Sequence, residues 1–366
     1  MLTLAALSLA VWVYLLFGHA DFWRAGPTLA PARPASAPPV TVIVPARDEA
    51  PTIGRALRSL LAQDYPGDFR VILVDDGSRD GTAEIARTID DPRLSILEGA
   101  DRAQGWSGKL WALQQGVQQA NTELLFFTDA DIEHRPGHLA TLAAKLTSEK
   151  LDLVSEMVML SCESLAERAL VPAFVFFFTM LYPFALVNDP GSRIAAAAGG
   201  SILLRADALD QAGGLAAMRG ALIDDVTLAA NIKKNGKIWL GHSHLAASIR
   251  PYAHADDIWR MVARTAYVQL QFSPWRLAFT VLGMTVVFLV PPLATLLAQN
   301  PARVAGLLAW AASSVAFSPT LRRFGLSIAW APFLPLAAAF YTAATVGSAS
   351  DHISGRGIVW KQRQYS

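Results

Sequence analysis

Three patterns of hydrophobic and polar positions succeed one another along the chain. Residues 1–20 carry no Asp, Glu, Lys or Arg and are rich in Leu, Ala, Val and aromatics. A helix needs ~20 such residues to cross the hydrocarbon of a bilayer, so this run is expected to be a membrane anchor. Between residues 40 and 276 short apolar runs alternate with helical spacings. Strands are expected at 40–44, 69–74, 93–97 and 123–128, and helices at 53–61, 81–89 and 109–120. Beyond 276 the long apolar runs return, at 277–297, 304–321 and 324–350. The adjacent prolines 291 and 292 are expected to kink the first.

Strands alternating with helices imply an α/β domain with a mostly parallel sheet. In such sheets ligands bind beyond the carboxyl ends of the strands. Polar clusters fall there three times: Arg47-Asp48-Glu49, Asp75-Asp76, and Asp129 with Asp131. One such cluster alone reads as a solvated turn or a helix cap. Three at equivalent strand ends point to a site.

Five prolines between residues 27 and 39 predict a stiff spacer over 21–39. The domain order is then an anchor at 1–20, this linker, a soluble domain at 40–276, membrane helices at 277–350 and a tail at 351–366. Arg24 and Arg33 follow the first apolar run instead of preceding it. The positive-inside rule therefore favours an uncleaved anchor with the domain on the cytosolic side of the inner (plasma) membrane. Three crossings in the last third would leave Arg356, Lys361 and Arg363 outside, against that rule, so the number of C-terminal spans stays open. The run at 169–188 is uncharged too, yet it lies inside the soluble domain. It is expected to be interfacial or buried.

Composition narrows the classes. Apolar residues make up 53% of the 366 and charged ones 17%, below the ~25% of average soluble domains. The net charge of +1 offers no basic field for nucleic acid. Cys162 is the single cysteine, so neither an internal disulfide nor a cysteine-based zinc cluster can form. Few polar residues fall within the apolar runs, which disfavours a transporter.

The candidate chemistry is acidic. Asp129 and Asp131, two residues apart beyond a strand, can hold Mg²⁺ or Mn²⁺ through oxygen ligands and neutralise a departing diphosphate. The loop Gly105-Trp106-Ser107-Gly108-Lys109 leads into a helix start, which suits a phosphate, although Lys109 alone reads equally as a surface lysine. Asp224 and Asp225 open a helix, either as caps or with one of them as a general base. Gly199, Gly200 and Ser201 allow close approach of an acceptor or form an ordinary turn. His134 and His138 are expected at surface or capping positions.

In this order and spacing, Val44-Pro45-Ala46-Arg47-Asp48-Glu49, Val74-Asp75-Asp76-Gly77-Ser78, Asp129-Ala130-Asp131 and Asp224-Asp225 resemble the family 2 inverting glycosyltransferases of GT-A fold. The anchors and Gly105 to Ala112 look like the ceramide-glucosyltransferase-like branch, and within it the hopanoid-biosynthesis-associated enzymes. The resemblance implies transfer of a sugar from a nucleotide-sugar donor, a UDP-sugar, to a lipid acceptor. It implies a nucleoside pocket of Pro45, Ala46, Glu49 and Asp76 with Asp75 nearby, a metal pair of Asp129 and Asp131, and Asp225 as the base. The family's Gln/Arg-x-x-Arg-Trp motif is eroded here to Met261-Val262-Ala263-Arg264-Thr265, where only Arg264 fits. That erosion favours transfer of one sugar over a processive polysaccharide synthase. A non-catalytic nucleotide-sugar-binding scaffold is the reading from another class.

Overall fold

The computed structural model describes residues 1–24, 26–354, 358–360 and 363–365, the last two groups by backbone alone. Arg356 and Lys361 of the expected tail lie outside the described residues. In chain order the elements are α1 (Leu2–Phe17), β1 (Val40–Ala46), α2 (Ala50–Leu61), β2 (Phe69–Asp75), α3 (Thr82–Arg87), β3 (Leu94–Glu98), α4 (Gly108–Gln119), β4 (Leu124–Phe127), β5 (Ile132–His134), α5 (His138–Ser148), β6 (Leu153–Met159), α6 (Leu165–Leu181), α7 (Phe184–Asn188), β7 (Ile202–Arg205), α8 (Ala206–Gln211), α9 (Asp224–Lys233), β8 (Ile238–Ser248), α10 (Ala255–Ala263), α11 (Ala266–Gln269), α12 (Pro274–Met284), α13 (Val290–Leu297), α14 (Ala302–Arg323) and α15 (Leu334–Ile353). They form two compact units. One holds Pro27–Ser161 and Leu186–Pro251; the other holds Met1–Gly26, Cys162–Ala185 and Tyr252–Ser366.

The first unit is built on one sheet with strand order β3-β2-β1-β4-β7-β6-β8-β5. β3, β2, β1 and β4 run parallel. β7 enters antiparallel between β4 and β6. β1 is followed by β2 on one side, while β4 pairs on its other side. The strand order therefore reverses at β1, and the crevice beyond its carboxyl end is the natural ligand site of such a sheet. The all-parallel half needs cover on both faces, and its apolar residues provide the contact. Val40, Val42 and Val44 of β1 pack with Ile53, Leu57 and Leu60 of α2 in the core. On the other face α4 approaches so closely that a side chain at Gly116 would sit 2.4 Å from Ile43 Cγ2.

The proline-rich segment does not stand off as a spacer. Leu29 N–H donates to His242 O at 2.7 Å and His242 N–H to Pro27 O at 2.8 Å, while Tyr65 Oη donates to Pro38 O at 2.6 Å. Its free backbone groups find partners along β8 and in the loop after α2, which straps it to the sheet unit.

Among the described residues of the second unit, three stretches are long and apolar enough to cross a membrane: Pro274–Leu297, Ala302–Arg323 and Ile328–Ile353. The expected N-terminal anchor is a 16-residue helix. At 1.5 Å per residue it reaches ~24 Å, short of the ~30 Å hydrocarbon core. It packs in its own unit through Trp12, whose ring meets Phe288 edge-on at 5.4 Å. The proline pair does not end the helix. A π-helical turn, Thr285–Leu289, precedes it and the helix continues as α13. Pro291 has no N–H for the carbonyl of Val287; Trp12 Nε1 donates to that oxygen at 2.8 Å instead.

The internal apolar run becomes α6, a break at Tyr182-Pro183, and the short α7. A capping box of Ser164 and Glu167 starts α6. Its buried face includes Leu170, Val171, Ala173 and Phe176, and Phe176 meets Phe22 and Phe317 of the same unit at 5.4 Å each.

Candidate functional site

The site collects beyond the carboxyl ends of β1, β2 and β4. Ala46 pairs with Asp75 at the ends of β1 and β2, and Asp76 N–H donates to Ala46 O at 2.8 Å. Arg47 crosses to Asp76, its Nη1 bonding the backbone oxygen of Asp76 and standing 3.8 Å from Oδ2. Ser78 Oγ donates to Asp75 Oδ1. Glu49 N–H donates to Thr82 Oγ1 at 2.8 Å. The sequence-predicted pocket wall of Pro45, Ala46, Glu49, Asp75 and Asp76 is thus one continuous corner of the sheet unit.

Lys109 is the centre of the second group. Its Nζ lies 2.7 Å from Asp129 Oδ1 and 3.6 Å from Asp224 Oδ2. It is no surface lysine: it enters the cleft from the first turn of α4. Asp225 accepts from Val226 N–H at 2.8 Å through Oδ1 and from Gly199 N–H at 2.9 Å through Oδ2. A Cβ at Gly199 would stand 3.1 Å from Lys109 Nζ and 3.4 Å from Asp225 Oδ2, so a side chain there would press on both charged groups. Pro45, Lys109, Gly199, Asp224 and Asp225 line one small pocket.

Electrostatics in this group follow from burial and charge count. Burial raises the pKa of Asp225 to about 6, and Asp224 adds to the rise; Lys109 and the two N–H donors oppose it. Asp129 is also raised, first by burial, against the pull of Lys109, with Asp131 and Asp224 pushing it further up. Its side chain keeps 37% of its surface open, so solvent damps that shift. Burial lowers the pKa of Lys109, but Asp129, Asp224 and Asp225 outweigh it and hold the ammonium charged.

A third group was not foreseen. Arg250, just past β8, places Nε 2.6 Å from Asp131 Oδ2 and Nη2 2.6 and 2.5 Å from the two oxygens of Glu49. It ties the pocket wall to the acidic pair across 201 residues of sequence. Nothing local to Ser248-Ile249-Arg250-Pro251 marks it, since its partners are brought by the sheet order.

Asp129 and Asp131 thus face cations of the chain itself. Among the described residues no group of three His, Cys, Asp or Glu side chains is placed to hold a metal. The two carboxylates do supply an all-oxygen donor set of the kind hard divalent cations take. Arg264 caps α10 in the other unit. His134 and His138 are neither surface nor simple caps, being 3% and 0% exposed. Gly200 and Ser201 lie beside Thr128 and Ser155, hydrogen-bonded through their backbone oxygens.

This arrangement defines an α/β domain with acids at the ends of its parallel strands. The fold resembles that of mannosyltransferase PcManGT from Pyrobaculum calidifontis, solved in complex with GDP-Man and Mn²⁺. The TM-score is 0.56 at 23% identity, over 96% of this chain and 99% of that one. Residues 41–213 match the family described as Glycosyl transferase family 2. Over 93 residues the chain is 41% identical to the 4,4'-diaponeurosporenoate glycosyltransferase of Staphylococcus aureus strain bovine RF122 / ET3-1, and 40% identical to that of strain USA300. The matched stretch is 25% of this chain and 24% of those relatives' length.

Proposed function

We propose that the chain is a membrane-bound inverting glycosyltransferase that moves one sugar from a nucleotide-sugar to a lipid acceptor. The observation that carries this is the convergence on Lys109 of Asp129, Asp224 and Asp225 at the reversal point of the sheet. Three segments far apart in sequence have no structural need to bring acids around one ammonium.

In the reaction Asp225 accepts the proton of the acceptor hydroxyl as its oxygen attacks the anomeric carbon. The bond from that carbon to the diphosphate oxygen breaks, and the electron pair leaves with the nucleoside diphosphate. Configuration at carbon inverts. A pKa of about 6 leaves Asp225 mostly ionised near neutrality and still basic enough to take a proton. Lys109 offers positive charge to the departing diphosphate. Glu49 and Asp76 face the nucleoside. A divalent cation held by Asp129 and Asp131 would neutralise the leaving group, with Lys109 and Arg250 released from those acids.

The lipid acceptor rests on two supports. Among the described residues three helices are fit to cross a membrane, and the relatives above are named for a lipid-like carotenoid acid. α6 and α7 fit an interfacial or buried placement, because β6 and β7, which flank them in sequence, pair in one sheet. A single crossing between them would put neighbouring strands on opposite sides of the bilayer. With the sheet unit cytosolic, the enzyme would work at the inner face of the plasma membrane. A hopanoid is the acceptor implied by the finer sequence resemblance.

The test is lipid mass spectrometry of cells with and without the gene, paired with transfer from labelled nucleotide-sugars by membranes containing the protein. A glycolipid that disappears on deletion, and reappears in vitro with inverted anomeric configuration, is the expected result. Transfer with retained configuration, or an unchanged lipid profile and no transfer, sinks the proposal.

A further inference from the structure

Behind the acidic cleft lies a buried polar chain that the reaction does not use. Thr128 Oγ1 donates to Gly200 O at 2.8 Å and lies 3.0 Å from His134 Nε2. His134 Nδ1 faces His138 Nδ1 at 2.9 Å, and His138 Nε2 bonds Glu156 Oε1. The two imidazoles stack at 5.0 Å with Phe126 edge-on to both. None of the four residues is more than 3% exposed.

The proton positions follow from counting. Thr128 has one hydroxyl hydrogen, and Gly200 O takes it. Its oxygen must then accept from His134 Nε2–H. That leaves His134 Nδ1 bare, so it accepts from His138 Nδ1–H. His138 and Glu156 share the one remaining proton, and the pair is neutral in sum whichever side holds it. Burial and the neighbouring His138 push the pKa of His134 well below its ordinary value, in keeping with a neutral ring. The chain ends on a backbone carbonyl, which passes no proton on, so it transmits position and not protons.

What it positions is the segment that holds Asp225. The Thr128 hydroxyl fixes Gly200, and the adjoining Gly199 N–H donates to Asp225 Oδ2 at 2.9 Å. Ser155, on the opposite face of β6 from Glu156, grips the same segment at Ala198 N and Ser201 O. We infer that Thr128, His134, His138 and Glu156 are positioning residues, a buried clamp that holds Gly199–Gly200 against the carboxylate of Asp225 and so aims it. This rests on the role of Asp225 proposed above, and its test separates the two.

The experiment uses the full chain in nanodiscs. Hydrogen exchange is followed by mass spectrometry in wild type, Thr128→Val and Thr128→Ser. Valine keeps the shape and removes both hydrogen bonds; serine keeps the bonds. Of the two, loss of the bond to Gly200 O is expected to speed exchange of peptides covering 195–204 by roughly five- to ten-fold, with serine restoring protection and peptides of β1 and β2 unchanged. Unchanged exchange at 195–204, or faster exchange throughout the sheet, overturns the clamp.

The same variants are assayed with UDP-glucose, UDP-N-acetylglucosamine and GDP-mannose in turn, with Mn²⁺ and a total lipid extract. Thr128→Val is expected to lower kcat by a similar factor at constant donor KM, and to add no further loss to Asp225→Asn. An equal loss in the Asp225→Asn background also overturns the clamp. If exchange behaves as expected but wild type transfers from none of the donors, the transferase reading fails and the clamp stands.

Discussion

Lys109 Nζ stands 2.7 Å from Asp129 Oδ1, a contact between the first turn of α4 and the loop after β4. With Asp224 Oδ2 at 3.6 Å, this one ammonium compensates acids contributed by two other parts of the chain. Replacing it by methionine keeps the stem and leaves those acids facing one another. Lys109→Met is expected to reduce transfer at least ~10²-fold, the scale of a lost electrostatic group at a leaving centre. The pKa of Asp225 should also rise further, because Lys109 is the cation that lowers it. A pH–rate profile checks this: the acidic limb should move to higher pH. An unmoved limb would detach Lys109 from Asp225.

The acidic limb itself should report Asp225. A base works ionised, so activity is full above its pKa and falls as pH drops through about 6. Burial sets this value first by raising it; Asp224 raises it further, and Lys109 with the N–H of Val226 and Gly199 lower it. Asp225→Asn is expected to cut kcat by ~10²–10⁴-fold and leave donor binding nearly intact, since its neighbours still hold the donor. Isothermal titration with the nucleoside diphosphate, set beside turnover, separates those effects.

Much of this was legible before folding. The alternation of apolar runs located β1 to β4 and the helices between them within three residues, the largest miss being the start of α2 at Ala50, because buried parallel strands leave a dense local signal. The acids at their ends followed. Long-range pairing left no such trace. Arg250 acquires its meaning only when β8 lies beside β5 and β6, and His134 and His138 read as polar residues near a turn until Glu156 is placed next to them. The linker shows the same limit. Its prolines encode stiffness, but its pairing with His242 depends on a strand 200 residues on.

Arg250 should act on donor and cation in opposite directions. It neutralises Glu49 and Asp131 together, so Arg250→Gln removes the cation the two acids share. Without donor, the variant is expected to bind Mn²⁺ several-fold more tightly than wild type, because Asp131 no longer has to exchange a guanidinium for the ion. Electron paramagnetic resonance of free Mn²⁺ measures this without any turnover. The donor KM should rise in the same variant as Glu49 loses its orientation. Weaker Mn²⁺ binding would mean that Arg250 helps to build the cation site.

The last prediction concerns the helical unit. Trp12 Nε1 donates to Val287 O at 2.8 Å, at the carbonyl left without an amide by Pro291. Trp12→Phe keeps the ring against Phe288 and removes the donor. In a membrane interior such bonds contribute about 0.6 kcal/mol on average and up to ~1.7, so the variant should lose about 1 kcal/mol in detergent, read as a lower Tm of the solubilised protein. Pro291→Ala supplies an N–H four residues after Val287. Combined with Trp12→Phe, it should recover part of the loss, because the Val287 oxygen, then held only by the long 3.4 Å bond from Ser8 Oγ, gains a helical partner. If the two losses simply add, the tryptophan stabilises α1 through its ring and the hydrogen bond is incidental.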